Sequence, residues 1–244
     1  MERISGNMSA SDSGLTKITS LRWRQYLIRG AETLGLTLSM EQAASMAIHA
    51  GELVAWNRRS NLTSLTGPEE IAEKHYLDSI LPMRWIPEGA SILDIGSGGG
   101  FPGIPLKIMM PASDVVLVDA VRKKVSFINH AIRTLGLKRI RARHIRAESL
   151  TRHTADGPAD GFGVIISRAL SSLERFVAMA LPLLADDGMI VALKGKGQKV
   201  DTELSTLIHQ FPPDILDRLP SIQTARYRLP YSGAERTMIL FGSR

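Results

Sequence analysis

The stretch Ser91-Ile92-Leu93-Asp94-Ile95-Gly96-Ser97-Gly98-Gly99-Gly100-Phe101-Pro102-Gly103 leaves the chain few folds to choose from. Three apolar residues, Ile92, Leu93 and Ile95, carry Asp94 among them and run directly into a glycine cluster. That order predicts a buried strand, a turn where the backbone approaches a ligand closely, and the start of a helix. Pro102 suits the first turn of that helix, where its missing N–H is not needed. A second apolar run, Val115 to Val118, ends at Asp119, 23 residues beyond Gly96. An acid at the tip of a second strand accepts hydrogen bonds from both hydroxyls of a ribose. The expectation is an α/β domain that holds an adenosine-containing cofactor.

Two cofactors fit that geometry. Gly98, Gly100 and Gly103 satisfy the G-x-G-x-x-G spacing of dinucleotide sites, which alone is weak evidence. Asp94 points the other way. A carboxylate just before the loop repels a pyrophosphate, whereas it attracts the ammonium group of S-adenosylmethionine. The string Leu-Asp-Ile-Gly-Ser-Gly-Gly-Gly also resembles the first motif of class I methyltransferases.

Beyond Ala90, apolar strand candidates alternate with helical stretches. Ile92–Ile95, Val115–Asp119, Ile140–Ile145, Phe162–Ser167, Met189–Leu193 and Arg236–Phe241 are the expected strands. Such alternation predicts a parallel sheet covered by helices on both faces, with ligands at the carboxyl ends of the strands. Asp94, Asp119, Glu148, Arg168 and Lys194 all fall at or just after those ends. Upstream, Leu21 to about Pro87 is helical in pattern, with Ser39 and Gln42 spaced for a capping box and a further helix over Glu69–Met83. The expected organisation is a disordered tail over 1–20, a helical extension over 21–89 and a Rossmann-like domain over 90–244.

Composition narrows the chemistry. The 244 residues include no cysteine, which excludes disulfides, thiolate metal sites, iron–sulfur radical chemistry and the cysteine adduct used to methylate carbon 5 of a pyrimidine. No metal ligand set is expected. No apolar run approaches the about 18 residues of a membrane helix, and the N-terminus lacks a signal-peptide core, so a cytoplasmic location is expected. The net charge is +6, concentrated in one place: between Val121 and His153 there are ten Lys or Arg residues and one acid, Glu148. Beside a methyl-donor site, such a cluster, with Arg122, Lys123 and Lys124 at its head, points to a nucleic-acid partner.

Further motifs add a resemblance. Phe-Pro-Gly-Ile-Pro after the glycines, Ile-Ser-Arg-Ala at 166–169 and Leu-Lys-Gly at 193–195 resemble those of the bacterial small-subunit ribosomal guanine-N7 methyltransferases, the glucose-inhibited division protein B family. Trp56-Asn57, Asn61-Leu62-Thr63, His75 and Leu77-Asp78-Ser79 fit the same family's helical region. The resemblance covers roughly residues 50–241 and implies a class I fold with S-adenosylmethionine as cofactor. It implies methyl transfer to N7 of the guanine numbered 527, in the 530 loop of 16S ribosomal RNA, on naked RNA or the small subunit. It implies that Gly96, Gly98, Gly100 and Phe101 line the cofactor site with Asp94 and Asp119, and that Ala147 and Glu148 flank the adenine. Arg168 would reach the cofactor or the target base. Lys194, Asn61 and His75 would join Arg122, Lys123 and Lys124 as RNA contacts.

Guanine N7 carries a free lone pair and no proton, so no general base is expected, and Arg168 is assigned to positioning. Two alternatives stand beside this reading. A nicotinamide-dependent oxidoreductase is opposed by Asp94 and by the lack of a Tyr-x-x-x-Lys pair. A non-enzymatic RNA-binding protein of the same fold is opposed by the intact glycine loop with Asp119 and Arg168. Ser167-Arg168-Ala169-Leu170 stands where amino-group methyltransferases carry an Asn/Asp-Pro-Pro-aromatic motif, which disfavours amino methylation.

Overall fold

The computed structural model describes residues 17–168, 172–195, 197–212, 215–216, 218–219 and 221–242. Two helices open it, α1 (Leu21–Thr33) and α2 (Met40–Ser60). The side chain of Ser20 caps α1 at Trp23 N, and Ser39 with Gln42 forms the expected capping box on α2. Residues 17–19 are already helical and Ile18 is buried, so part of the stretch assigned to the tail is packed. A third helical stretch, α3, runs through Pro68–Ile71, Ala72–Leu77, Asp78–Ile80 and Leu81–Arg84. Its second part is a π turn that carries Glu73, His75 and Tyr76, all buried. Turns of this kind recur where side chains are re-aimed at functional sites.

The sheet has seven strands in the order β3-β2-β1-β4-β5-β7-β6. They are β1 (Ser91–Ile95), β2 (Asp114–Asp119), β3 (Ile140–His144), β4 (Phe162–Ser167), β5 (Leu184–Lys194), β6 (Ile222–Arg228) and β7 (Glu235–Gly242). The longer helices that follow among the described residues are α4 (Gly103–Met109), α5 (Arg122–Thr134), α6 (Leu173–Ala180) and α7 (Gly197–Gln210). β1 to β5 pair in parallel as expected, but β7 is antiparallel to both β5 and β6, so the sheet is mixed. The reason is local. Only six residues join β6 to β7, too few for the crossover that a parallel pair requires.

The central strands are apolar on both faces. On β2, Val115 and Leu117 point into a cluster built by α1–α5, while Val116 and Val118 point into the one under α6 and α7. Burial on both faces is what a helix-covered parallel sheet demands. The helical extension thus shares its core with the sheet: Leu27, Leu53 and Tyr76 lie in the same cluster as Ile92, Ile104 and Leu117. No described helix is long and apolar enough to cross a membrane, and no group of three or more His, Cys, Asp or Glu among the described residues is placed to hold a metal.

Candidate active site

The loop between β1 and α4 is folded back on the ends of β1 and β2. Gly96 N and Ser97 N donate to Val118 O, and Gly100 N and Phe101 N donate to Ser97 O, all at 2.8–3.1 Å. Gly96, Gly98 and Gly100 have φ of 77°, 57° and 86°, a region that L side chains rarely adopt. A Cβ at Gly98 would meet nothing closer than Gly96 O at 4.0 Å, so that side of the loop is open. Asp119 braces it: its Oδ2 accepts Gly98 N at 2.9 Å and its Oδ1 accepts Val121 N at 2.8 Å. A carboxylate has about four acceptor positions, so two stay open to further donors.

Asp94 lies under the loop. It is fully buried, its Oδ2 accepts Gly103 N at 2.9 Å, and its Oδ1 has no partner. Gly103 is required there, because a Cβ would stand 2.8 Å from Asp94 Oδ2 and from Leu117. Burial raises the Asp94 carboxyl from 3.8 to about 7, against the pull of the Gly103 N–H, Ser97 and Arg168. Burial lowers His49 to about 3, and burial together with the Arg168 charge lowers His75 to about 2.

These shifts act on stability in opposite senses. The raised carboxyl holds a proton in the folded state that the unfolded chain releases, so its contribution is present at low pH and is lost as pH rises through about 7. The two imidazoles stay neutral in the folded state while the unfolded chain takes up their protons below about pH 6.5, so their contribution is lost on acidification. Between about pH 6.5 and 4 the proton held by Asp94 offsets part of the histidine loss. The melting temperature of Asp94→Asn is therefore expected to fall more steeply on acidification over this interval than that of the wild type. Equal slopes for both proteins would show that Asp94 holds no proton in the folded state.

At the far end of the loop a stack joins it to a cleft. The Phe101 ring lies against His75, with centroids 4.3 Å apart and planes 8° apart, and the Arg168 guanidinium carbon sits 5.1 Å from the centre of the Phe101 ring. Arg168 follows β4 as expected, but its side chain turns toward α3 and donates to Lys74 O and His75 Nδ1, both at 2.8 Å. A guanidinium can only donate, so Nδ1 carries the lone pair and Nε2 the proton. Nε2–H then donates to Thr63 Oγ1 at 2.8 Å. Burial lowers the Arg168 pKa, opposed by Asp78 and Asp94, from a value so high that the group stays charged. The cleft beside it measures about 780 Å³ and is lined by Thr63, His75, Asp78, Arg168, Lys194 and Arg236, among others.

Several expected contacts stand differently. His75, read as an RNA contact, is 7% exposed and tied between Thr63 and Arg168, so it positions rather than projects. Phe101, read as cofactor lining, is buried against His49, His75 and Tyr76 and anchors the loop. Lys194 reaches the cleft but is paired with Glu203 at 2.6 Å, and Lys124 lies 3.9 Å from Asp119. Arg122 and Lys123 are exposed and make no ion pair among the described residues. Asn61 is exposed and forms the left-handed C-cap of α2. Glu148 is exposed on a short turn, 3.6 Å from Arg175. Ala147 begins that turn, and its side chain lies outside what the structure describes. The basic stretch is partly consumed by the fold: Arg141 and Arg143 bind Asp156, Arg141 also binds Asp114, and Arg152 donates to the carbonyls of Ala159, Pro182 and Leu184.

Sequence reasoning missed a second layer. His49 lies buried under the loop, with the Tyr76 hydroxyl 2.9 Å from its Nδ1. Asp78 is a buried counter-charge: it accepts from the Tyr227 hydroxyl at 2.7 Å and lies 3.5 Å from Arg236 Nε. Glu73 Oε1 accepts Tyr231 N and Ser232 N, which clamps the β6–β7 loop to α3. The partners of Asp78 and Glu73 lie about 150 positions away, and no local pattern announces them.

Comparison with known proteins agrees with this geometry. A family model described as "rRNA small subunit methyltransferase G" matches residues 42–221. The chain is 42% identical over 221 residues to a ribosomal RNA small subunit methyltransferase G of Geobacter metallireducens, covering 91% of this chain and 96% of that one. For the protein of the same name from Myxococcus xanthus the identity is 38% over 220 residues, with 90% and 97% covered. Among solved structures, a SAM-dependent methyltransferase from Aquifex aeolicus matches with a TM-score of 0.53 at 16% identity, covering 75% of this chain and 96% of that one. The METTL16 methyltransferase domain matches with a TM-score of 0.56 at 10% identity, covering 82% and 81%. At such identities the structures speak for the class I methyltransferase fold alone.

Proposed function

Because the chain belongs to the rRNA small subunit methyltransferase G family, it is an S-adenosylmethionine-dependent rRNA methyltransferase, and we propose that it methylates N7 of one guanine in 16S ribosomal RNA. By resemblance the guanine is 527, in the 530 loop. The observation that carries this reading is the Phe101–His75–Arg168 stack. It joins the glycine loop to the cleft, so a methyl donor on the loop and an acceptor base in the cleft meet there.

The residues present fit the cofactor. Gly98 leaves the loop open to close approach, Asp119 keeps free acceptor positions, and Asp94 Oδ1 is an unpaired buried carboxyl oxygen whose ionised form a nearby cation would favour. Asp119 would hold the ribose, Gly96, Gly98 and Gly100 the methionine side, and Asp94 would favour the ammonium group through the loop. When bound, the cofactor supplies an electrophilic sulfonium methyl.

The chain's part is alignment. N7 needs no deprotonation, so the work is to hold the base with its lone pair directed at the methyl and to keep water out. Arg168 spends two of its five N–H donors on Lys74 and His75, and the rest can hold O6 of the guanine or a phosphate. Arg122 and Lys123, exposed at the start of α5, would meet RNA phosphates. The same reading places the enzyme in the cytoplasm, acting on ribosomal RNA or the small subunit.

The test is to incubate the protein with labelled S-adenosylmethionine and small subunits lacking the modification, then map the labelled nucleotide. Label on N7 of a guanine is expected, and label on a base carbon or an exocyclic amine would end the N7 assignment. In thermal melts, S-adenosylmethionine at 100 times its Kd should add about 2.7 kcal/mol of stability, while NAD adds none. Stabilisation by NAD alone would reverse the cofactor assignment.

A further inference from the structure

A second cleft, of about 430 Å³, opens between α2 and α5 and is lined by Glu52, Trp56, Arg58, Arg59, Ser60 and His130. We infer that it is a docking site for an unpaired nucleotide flanking the methylated one, the base stacking on Trp56 and the phosphate held by Arg59. The inference rests on the RNA substrate proposed above.

Three observations carry it. The Trp56 indole is only half-buried: Phe127 and His130 support it at centroid distances of 5.6 and 5.2 Å, and the cleft opens against it. His130 is fixed in turn by Glu52 at 2.7 Å, so the aromatic floor is rigid before any ligand arrives. A supported, partly uncovered aromatic ring is the platform that single-stranded nucleic acid uses, since every base has a face to stack.

The charge around it suits a polyanion. Arg59 is exposed in the last turn of α2, and Lys123 and Arg133 are exposed on α5 seven residues before and three after His130, spacings that keep them on its side of the helix. The volume lies within the usual range of small-ligand sites.

The third observation is continuity with the Arg168 cleft. Ser60 closes one cleft, while Leu62, Thr63, Ser64 and Leu65 wall the other, so the end of α2 is the partition between them. That partition is stiff. Asn57 Nδ2 donates to Thr63 O at 2.8 Å, Thr63 N donates back to Asn57 Oδ1 at 2.9 Å, and Thr63 Oγ1 meets His75. One RNA strand crossing the partition would place its target base beside Arg168 and a neighbour over Trp56.

The experiment measures methyl transfer by full-length protein to small ribosomal subunits lacking the modification, for wild type, Arg59→Glu and Trp56→Leu. Arg59→Glu is an exposed substitution, which keeps the test sound if Trp56→Leu loosens α5. Each variant should raise KM for subunits about tenfold, with the stabilisation by S-adenosylmethionine retained. Arg59→Glu should also flatten the salt dependence of binding by about 0.7 in log–log slope, the loss of one single-strand phosphate contact, and Trp56→Leu should not. Unchanged KM in Arg59→Glu, or equal salt slopes in all three proteins, with wild type active, overturns the inference and leaves the substrate reading intact. Wild type that leaves subunit RNA unlabelled overturns both.

Discussion

Replacing Arg168 with Ala is expected to lower methyl transfer in single-turnover experiments by about 10²-fold or more, the scale of losing a positioning or charge-stabilising contact. The guanidinium bridges Lys74 O and His75 Nδ1 and covers Phe101, so its removal frees the histidine, the loop's aromatic anchor and one wall of the cleft together. Arg168→Lys should recover only part of the rate, because a point charge cannot make both bonds with a planar fork. S-adenosylmethionine binding should survive better than turnover, since the loop keeps its bonds to Val118 and Asp119. The transfer step should show no inflection from a general base near neutral pH: N7 has no proton, and His75 is held neutral far below that range. A wild-type rate for Arg168→Ala on intact substrate would reduce Arg168 to scaffolding.

Asp78→Ala is expected to destabilise the fold by about 3–5 kcal/mol, the range for removing one partner of a buried ion pair. The Asp78 side chain is 6% exposed and that of Arg236 17%, and Arg168 adds a second, partly buried guanidinium nearby. Burial pushes the Asp78 carboxyl up, and Arg168, Tyr227 and Arg236 pull it back down. Without it, the Arg168 and Arg236 charges lose the carboxylate that offsets their mutual repulsion, and the Tyr227 hydroxyl loses its acceptor. For a chain of this size the loss corresponds to a fall in melting temperature of about 10 °C. Asp78→Asn keeps the volume and an acceptor for Tyr227, so its cost isolates the charge. A shift of less than about 2 °C for Asp78→Ala would mean that solvent already balances these cations.

The central strands and the loop were legible in the sequence because their signals are local. β1, β2 and β4 are short apolar runs, and the glycines follow β1 because positive φ and an open backbone are needed there. β6 was not legible. Ile222–Arg228 is an edge strand, exposed along most of its length, and its neighbour β7 shields only one side, so no apolar alternation marks it. The full run of β5, Leu184–Lys194, was hidden by Asp186 and Asp187, which are exposed before the strand enters the core at Gly188.

The α/β class, the glycine loop, the acid after β2 and the arginine after β4 can be read along the chain, since each depends on neighbours within a few positions. What those residues touch is set only when distant segments pack together. His75 and Lys194 look like free polar groups in a linear string, yet one is stacked on Phe101 and the other is paired with Glu203. Asp78 acquires its meaning from Tyr227 and Arg236, residues on strands that no local pattern brings to α3. Charge counted along the chain assigned ten cations to a partner, and folding gave three of them to Asp114, Asp156 and backbone carbonyls instead. The physical reason is that burial makes an unpaired charge costly, so where a chain folds onto itself its own acids and carbonyls compete with any ligand for each cation.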